Sequence, residues 1–168
     1  RRVLFRSEPN QRRWLLPDSP AVYVQRLLNP AYAAIHAANR LALVGGGVTA
    51  PRAATGGVSP VAWIAGMAAA GAHLDAYAHN PYALNPGETP LTGGCDRCTT
   101  ITMSTIGRLI SNVGAAFGQR VRIWLTEFGF QTDPPDHWVG VSYAKQAAYI
   151  GEAAMRAYTT PKVDMLVQ

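Results

Sequence analysis

Charge and cysteine are both scarce in this chain. Only 15% of the 168 residues are charged, against 48% apolar, which excludes a disordered segment and points to a packed globular domain. The two cysteines stand together as Cys95-Asp96-Arg97-Cys98 in a Gly/Thr-rich stretch. A lone pair of this kind cannot make a four-ligand zinc site unless two of His36, His73, His79 and His137 complete it. A thioredoxin-like site would open a helix after the first strand, which this stretch does not resemble. A local disulfide or two free thiols is the simpler reading.

Long apolar runs are also missing. No segment reaches the ~18–20 residues of a membrane span; the closest, 61–72, is rich in Ala and Gly and reads as a packed helix. Arg1 runs almost directly into Glu8 with no apolar core between, so the start does not read as a signal peptide. It has no helix, cap or initiating methionine either, and the expectation is a chain cut at both ends from something longer. Location is left open, an extracellular one being favoured. Fifteen basic residues outnumber ten acidic ones, but five of them, Arg1, Arg2, Arg6, Arg12 and Arg13, crowd the first fifteen positions and the rest are scattered. That is a solvated basic end rather than a nucleic-acid face. There is no P-loop lysine and no HExxH.

What is present is an alternation of strand-like and helix-like segments. Val3-Leu4-Phe5 reads as a short strand. Two helical pieces follow, divided at Asn29-Pro30. Leu41 to Val44 reads as a second strand, ended by Gly45-Gly46-Gly47. Ser59 caps a helix with Pro60 at its first position, and Asp75 to His79 is a third strand. A long loop carries the cysteine pair; Met103, Ile106, Ile110, Val113 and Phe117 then mark a helix by their spacing. Val121 to Thr126 is a fourth strand. Ser142 caps a helix through Tyr158, and Val163 to Val167 starts a fifth strand. Such alternation implies parallel strands with right-handed crossovers. It fits either a (β/α) barrel or an open doubly wound sheet. A complete eight-unit barrel needs about 250 residues, so the expectation is one partial barrel domain over 1–168.

Two glutamates dominate the chemistry. Glu8 lies in Ser7-Glu8-Pro9-Asn10, and Glu127 in Trp124-Leu125-Thr126-Glu127-Phe128-Gly129. Strand ends of a barrel share one rim, and a pair of carboxylates on one rim is the equipment for glycosidic bond cleavage. Alternation along the fourth strand places Val121, Ile123, Leu125 and Glu127 on one face, expected to be the barrel interior topped by a functional acid. Trp124 falls on the other face and is expected to pack under helices. Trp63 reads as core, and Trp138, in the loop after Glu127, as a sugar-stacking face. Gly45-Gly46-Gly47-Val48-Thr49-Ala50 loosely fits a dinucleotide fingerprint, but Pro51 and Gly56-Gly57 postpone the helix that such a site needs.

These segments together resemble the clan of retaining glycosidases on TIM barrels that includes cellulases, mannanases and xylosidases. In that clan the acid/base ends strand four, commonly as Trp-Asn-Glu-Pro, and the nucleophile ends strand seven, often as Thr-Glu-Phe-Gly. The resemblance implies an α/β fold comprising roughly strands four to eight of a (β/α)8 TIM barrel. It further implies Glu8 as acid/base, Glu127 as nucleophile, and retaining hydrolysis of β-linked glycans without metal or cofactor. Substrate contacts would come from Ser7 and Asn10 beside the acid, from His79 and Tyr82 in His79-Asn80-Pro81-Tyr82, and from Trp138. Ser7 stands where the clan has Asn, and Arg6 where it often has Trp; the shorter serine would lose the clan's contact to the sugar 2-hydroxyl or carry it through water. The implied partner is a carbohydrate, with no nucleic acid or membrane involved. The competing readings are an inactive barrel fragment or a non-catalytic carbohydrate-binding module, and a nucleotide-binding doubly wound domain.

Overall fold

A computed structural model describes residues 8–54 and 56–168. The expected first strand, Val3-Leu4-Phe5, lies outside them, as does Ser7. Four parallel strands, β1 (Gly45–Thr49), β2 (Ala76–His79), β3 (Arg122–Leu125) and β4 (Val163–Leu166), pair strictly in chain order. A doubly wound sheet reverses its strand order at a switch point, where its ligand binds; sequential order is what a barrel requires.

The helices begin where their caps are. Ser19 precedes α1 (Pro20–Tyr23), Ser59 precedes α3 (Pro60–Ala69) and Ser142 precedes α5 (Tyr143–Tyr158). Each serine hydroxyl accepts from an amide of the first turn, as Ser59 does from Ala62 at 3.2 Å, so a donor with no helical partner is satisfied. A 3-10 turn, Met103–Thr105, leads into α4 (Ile106–Phe117). The expected break at Asn29-Pro30 does not occur. A π-helical turn, Val24–Leu28, joins α1 to α2 (Asn29–Ala38) without interruption. Pro30 has no N–H for the regular ladder, and the widened turn just before it removes the need for one.

The second strand is displaced from its expected position. Leu41 and Leu43 are 90% and 68% exposed, and the three glycines form β1 themselves. Packing leaves no room for side chains there unless a neighbour shifts. A Cβ on Gly45 would lie 2.7 Å from the Trp124 ring, one on Gly46 2.9 Å from Leu28, and one on Gly47 2.7 Å from Tyr77. The glycines thus sit inside a strand and not at a helix start, which removes the dinucleotide reading.

The core lies between the sheet and its helices. Trp63, Ile64 and Met67 of α3 join Leu109 and Val113 of α4, Ala153 and Ala157 of α5, and Tyr77, Ile123 and Leu125 of the strands. This corrects the face assignment along β3. Ile123 and Leu125 face the helices, whereas Trp124 lies across Gly45 on the other face, where Arg122 also pairs with Asp164. Barrel strands carry apolar residues on both faces, so alternation alone could not say which face was inner.

The long connection after β2 is tied internally. Glu88 is buried, and its carboxylate accepts from the Leu84 amide and the Ser104 hydroxyl, both at 3.0 Å. Cys95 and Cys98 form a disulfide, so neither is a zinc ligand. Among the described residues no helix is long and apolar enough to cross a membrane.

Candidate active site

Three adjacent strand exits converge at the C-terminal ends of the sheet. Glu8 is fastened to the first, its amide donating to the Val48 carbonyl at 2.9 Å. Glu8 and Val48 have φ of 60° and 48°, the two non-glycine residues with positive φ among those described. Two L-residues held in the left-handed region and hydrogen-bonded to each other mark a strained point, and such points cluster at functional sites. The exit of β2 brings Asn80 and Tyr82, and the exit of β3 brings Thr126 and Glu127.

Hydrogen bonds link these groups across the rim. Thr126 Oγ1 donates to Asn80 Oδ1 at 2.7 Å, which turns the other end of the amide, Nδ2, toward Glu8 Oε1 at 3.5 Å. The Tyr82 hydroxyl approaches Glu127 Oε2 at 3.4 Å, the long end of a hydrogen bond. Burial pushes the Glu8 carboxyl above its ordinary value; Asn80 opposes this, the negative charge of Glu127 reinforces it, and Arg13 opposes it. Tyr82 is pushed up to about 12, first by burial and then by the charge of Glu127, with Glu8 adding to it. The two carboxylates therefore sit within electrostatic reach of each other, with Tyr82 close to both. One acid is biased toward its protonated form beside a second, exposed carboxylate, the division of labour that acid-and-nucleophile chemistry requires.

Tyr82 also lines two clefts. One, of about 310 Å³, is bounded by Glu8, Gln11, Arg13 and Arg52 on one side and by Tyr82 and Leu84 on the other. The second, of about 400 Å³, runs from Tyr82 and Asn85 along Gly129, Phe130 and Gln131 to Val139. A larger concavity, about 470 Å³, lies along β4 and α5. Its one acid, Asp164, is already paired with Arg122, so it offers no pair of carboxylates.

The remaining expected contacts are placed differently. His79 is fully buried. Its Nε2 donates to the Ile101 carbonyl at 2.9 Å, and its Nδ1 accepts from Thr49 Oγ1 at 2.8 Å, which in turn accepts from the Tyr77 hydroxyl at 3.1 Å. With both nitrogens used, His79 positions the loops beneath the rim and does not reach a ligand. Asn10 is likewise buried, accepting from the Ala50 amide at 2.8 Å and donating to the Val58 carbonyl at 3.0 Å. It clamps the β1 exit loop and is not a substrate contact. Trp138 is 90% exposed, next to Val139, which lines the second cleft. Asn80 and Thr126 were not singled out from the sequence. The signal was available in Asn80-Pro81 at one strand exit and Thr126-Glu127 at the next, but their meeting depends on the parallel register of His79 with Leu125.

These features define part of a (β/α)8 barrel with two carboxylates on its C-terminal rim. No family model and no curated protein matches the sequence. Among solved structures the chain is similar to the GH39 enzyme from Xanthomonas axonopodis pv. citri, with a TM-score of 0.63 and 17% sequence identity. The likeness covers 95% of this chain and 31% of that one, so the chain spans about a third of the length of the barrel enzyme it matches.

Proposed function

We propose that this chain carries the catalytic rim of a retaining glycoside hydrolase acting on β-linked sugars, with Glu127 as nucleophile and Glu8 as acid/base. The observation that carries the reading is the placement on one rim of a half-buried Glu8, whose carboxyl burial pushes above its ordinary value, and a Glu127 approached by the Tyr82 hydroxyl. The likeness to a GH39 enzyme supports it at the level of fold.

In the first step a Glu127 oxygen bonds to the anomeric carbon while the Glu8 proton passes to the departing glycosidic oxygen. Forming the ester removes the charge of Glu127, and with it one of the influences holding the Glu8 proton. Glu8 is then an ionised base, and Asn80 Nδ2, oriented by Thr126, favours that form. It takes a proton from water, the hydroxide bonds to the anomeric carbon, and the Glu127 carboxylate is released. Tyr82 keeps its proton over the working pH range and donates to Glu127 in the free state. Trp138 offers an exposed indole in the loop beyond Glu127 on which a sugar ring could stack.

The test is trapping. The chain is incubated with a panel of dinitrophenyl 2-deoxy-2-fluoro-β-glycosides, and the adduct is located by mass spectrometry. A single sugar on Glu127, absent in Glu127→Gln, is expected, and Glu127→Gln lowers turnover at least about a thousandfold. Oligosaccharide binding with no adduct and no turnover would overturn the catalytic reading and leave a non-catalytic carbohydrate-binding barrel segment.

A further inference from the structure

The cleft beside Glu8 differs from its neighbour in charge. Two guanidinium groups, Arg13 and Arg52, line it, and Glu8 is the one acidic residue among the described residues of its wall. The backbone of Arg52 is fastened, and the side chain of Arg13 is held by a neighbouring ring. The buried Gln11 donates from Nε2 to the Arg52 carbonyl and accepts from the Ala54 amide at 2.9 Å, tying the β1 exit loop to the Glu8 segment. The Arg13 guanidinium lies 4.9 Å from the centre of the Trp14 ring, a cation–π contact that narrows its positions. Arg13 is also near enough to Glu8 for its charge to act on that carboxyl. No basic residue is among those lining the second cleft, which runs along Gly129, Phe130 and Gln131 just beyond Glu127 in the chain.

Chemistry decides which part of a substrate each cleft takes. An acid/base protonates the departing oxygen, so the leaving group lies on the Glu8 side and the sugar under attack lies toward Glu127. From this, and resting on the glycosidase reading above, we propose that the Arg13–Arg52 cleft is a leaving-group subsite for an acidic sugar unit, one bearing a carboxylate.

An anion beside two catalytic carboxylates would be repelled in an uncharged cleft, and the paired arginines reverse that balance. Guanidinium suits the task because its planar fork of donors matches a carboxylate. The subsite would favour acidic over neutral leaving groups and lose that preference as salt rises, since both arginines are exposed.

The experiment compares 4-carboxyphenyl β-glycosides with their 4-carboxamidophenyl isosteres, alongside the affinities of a β-linked disaccharide with a uronic acid as its reducing unit and its carboxyl-reduced analogue. Each is measured for the unaltered chain and for R13Q/R52Q, with circular dichroism checking that the variant folds. The expected result is a kcat/KM ratio at least about tenfold higher for the acidic isostere, falling to near unity in the variant and in high salt. Turnover with the same ratio in both chains would overturn the subsite while leaving the glycosidase reading intact. If neither glycoside turns over but the acidic disaccharide binds tighter than its reduced analogue, and only with both arginines present, the subsite stands and the glycosidase reading fails. Equal affinities, or no binding of either sugar, would overturn the subsite.

Discussion

Burial drives the ionisations of Glu8 and His79 in opposite directions. Glu8 is raised, so its contribution to stability is present below its ordinary value of 4.5 and is lost as pH rises through its folded value. His79 is lowered from 6.5 to about 4, chiefly by burial. Its neutral form is stable above 6.5, and the contribution is lost as pH falls from 6.5 toward about 4, on the order of 3 kcal/mol in all. Urea unfolding between pH 4 and 7.5, in a Glu8→Gln background that removes the opposing term, is expected to show stability decreasing as the pH is lowered. Adding His79→Gln should flatten the slope; an unchanged slope would mean that other groups carry it. Of the segment His79-Asn80-Pro81-Tyr82 that the sequence singled out, Tyr82 approaches Glu127, whereas His79 is turned inward and Asn80 faces Glu8. Successive side chains leave a strand in opposite directions, so His79 goes under the rim and Asn80 onto it.

Among the elements, the helices were the easiest to foresee because their determinants are local. A serine cap, a proline in the first turn and apolar spacing lie within a few residues of one another. Strand β1 was misplaced because its determinants are remote. Three consecutive glycines suggest a turn, yet here they permit a ring and two further side chains to lie against the backbone. Gly45→Ala, which sets a methyl against the indole of Trp124, is expected to cost about 1–3 kcal/mol. Trp124→Leu in the same chain should restore part of that loss, and a thermodynamic double-mutant cycle measures it. Additive losses would show that the indole is not what excludes a side chain at Gly45. The π-helical turn before Pro30 teaches the same lesson: a proline that breaks a regular helix is tolerated where one widened turn leaves its missing donor without consequence.

For the whole molecule, the sheet is a gradient of enclosure. Every residue of β2 is buried and the strand is paired on both sides, as is β3, while β4 is half-exposed and pairs with β3 alone among the described strands. Hydrogen exchange is therefore expected to be slowest in β2 and β3 and at least about tenfold faster in β4. Uniform protection across the four strands would contradict this and point to an additional partner along β4. The strand–helix alternation, the parallel sheet and the two candidate carboxylates were all legible in the order of residues, because each depends on periodicity, caps and short motifs. The inner face of β3, the glycine strand, the clamping roles of Asn10 and His79, the Thr126–Asn80–Glu8 link and the presence of Arg13 and Arg52 in one cleft wall were decided only in three dimensions. Each depends on which residues, far apart in the chain, a parallel register and a shared rim bring within a few ångströms, and no local pattern encodes that distance.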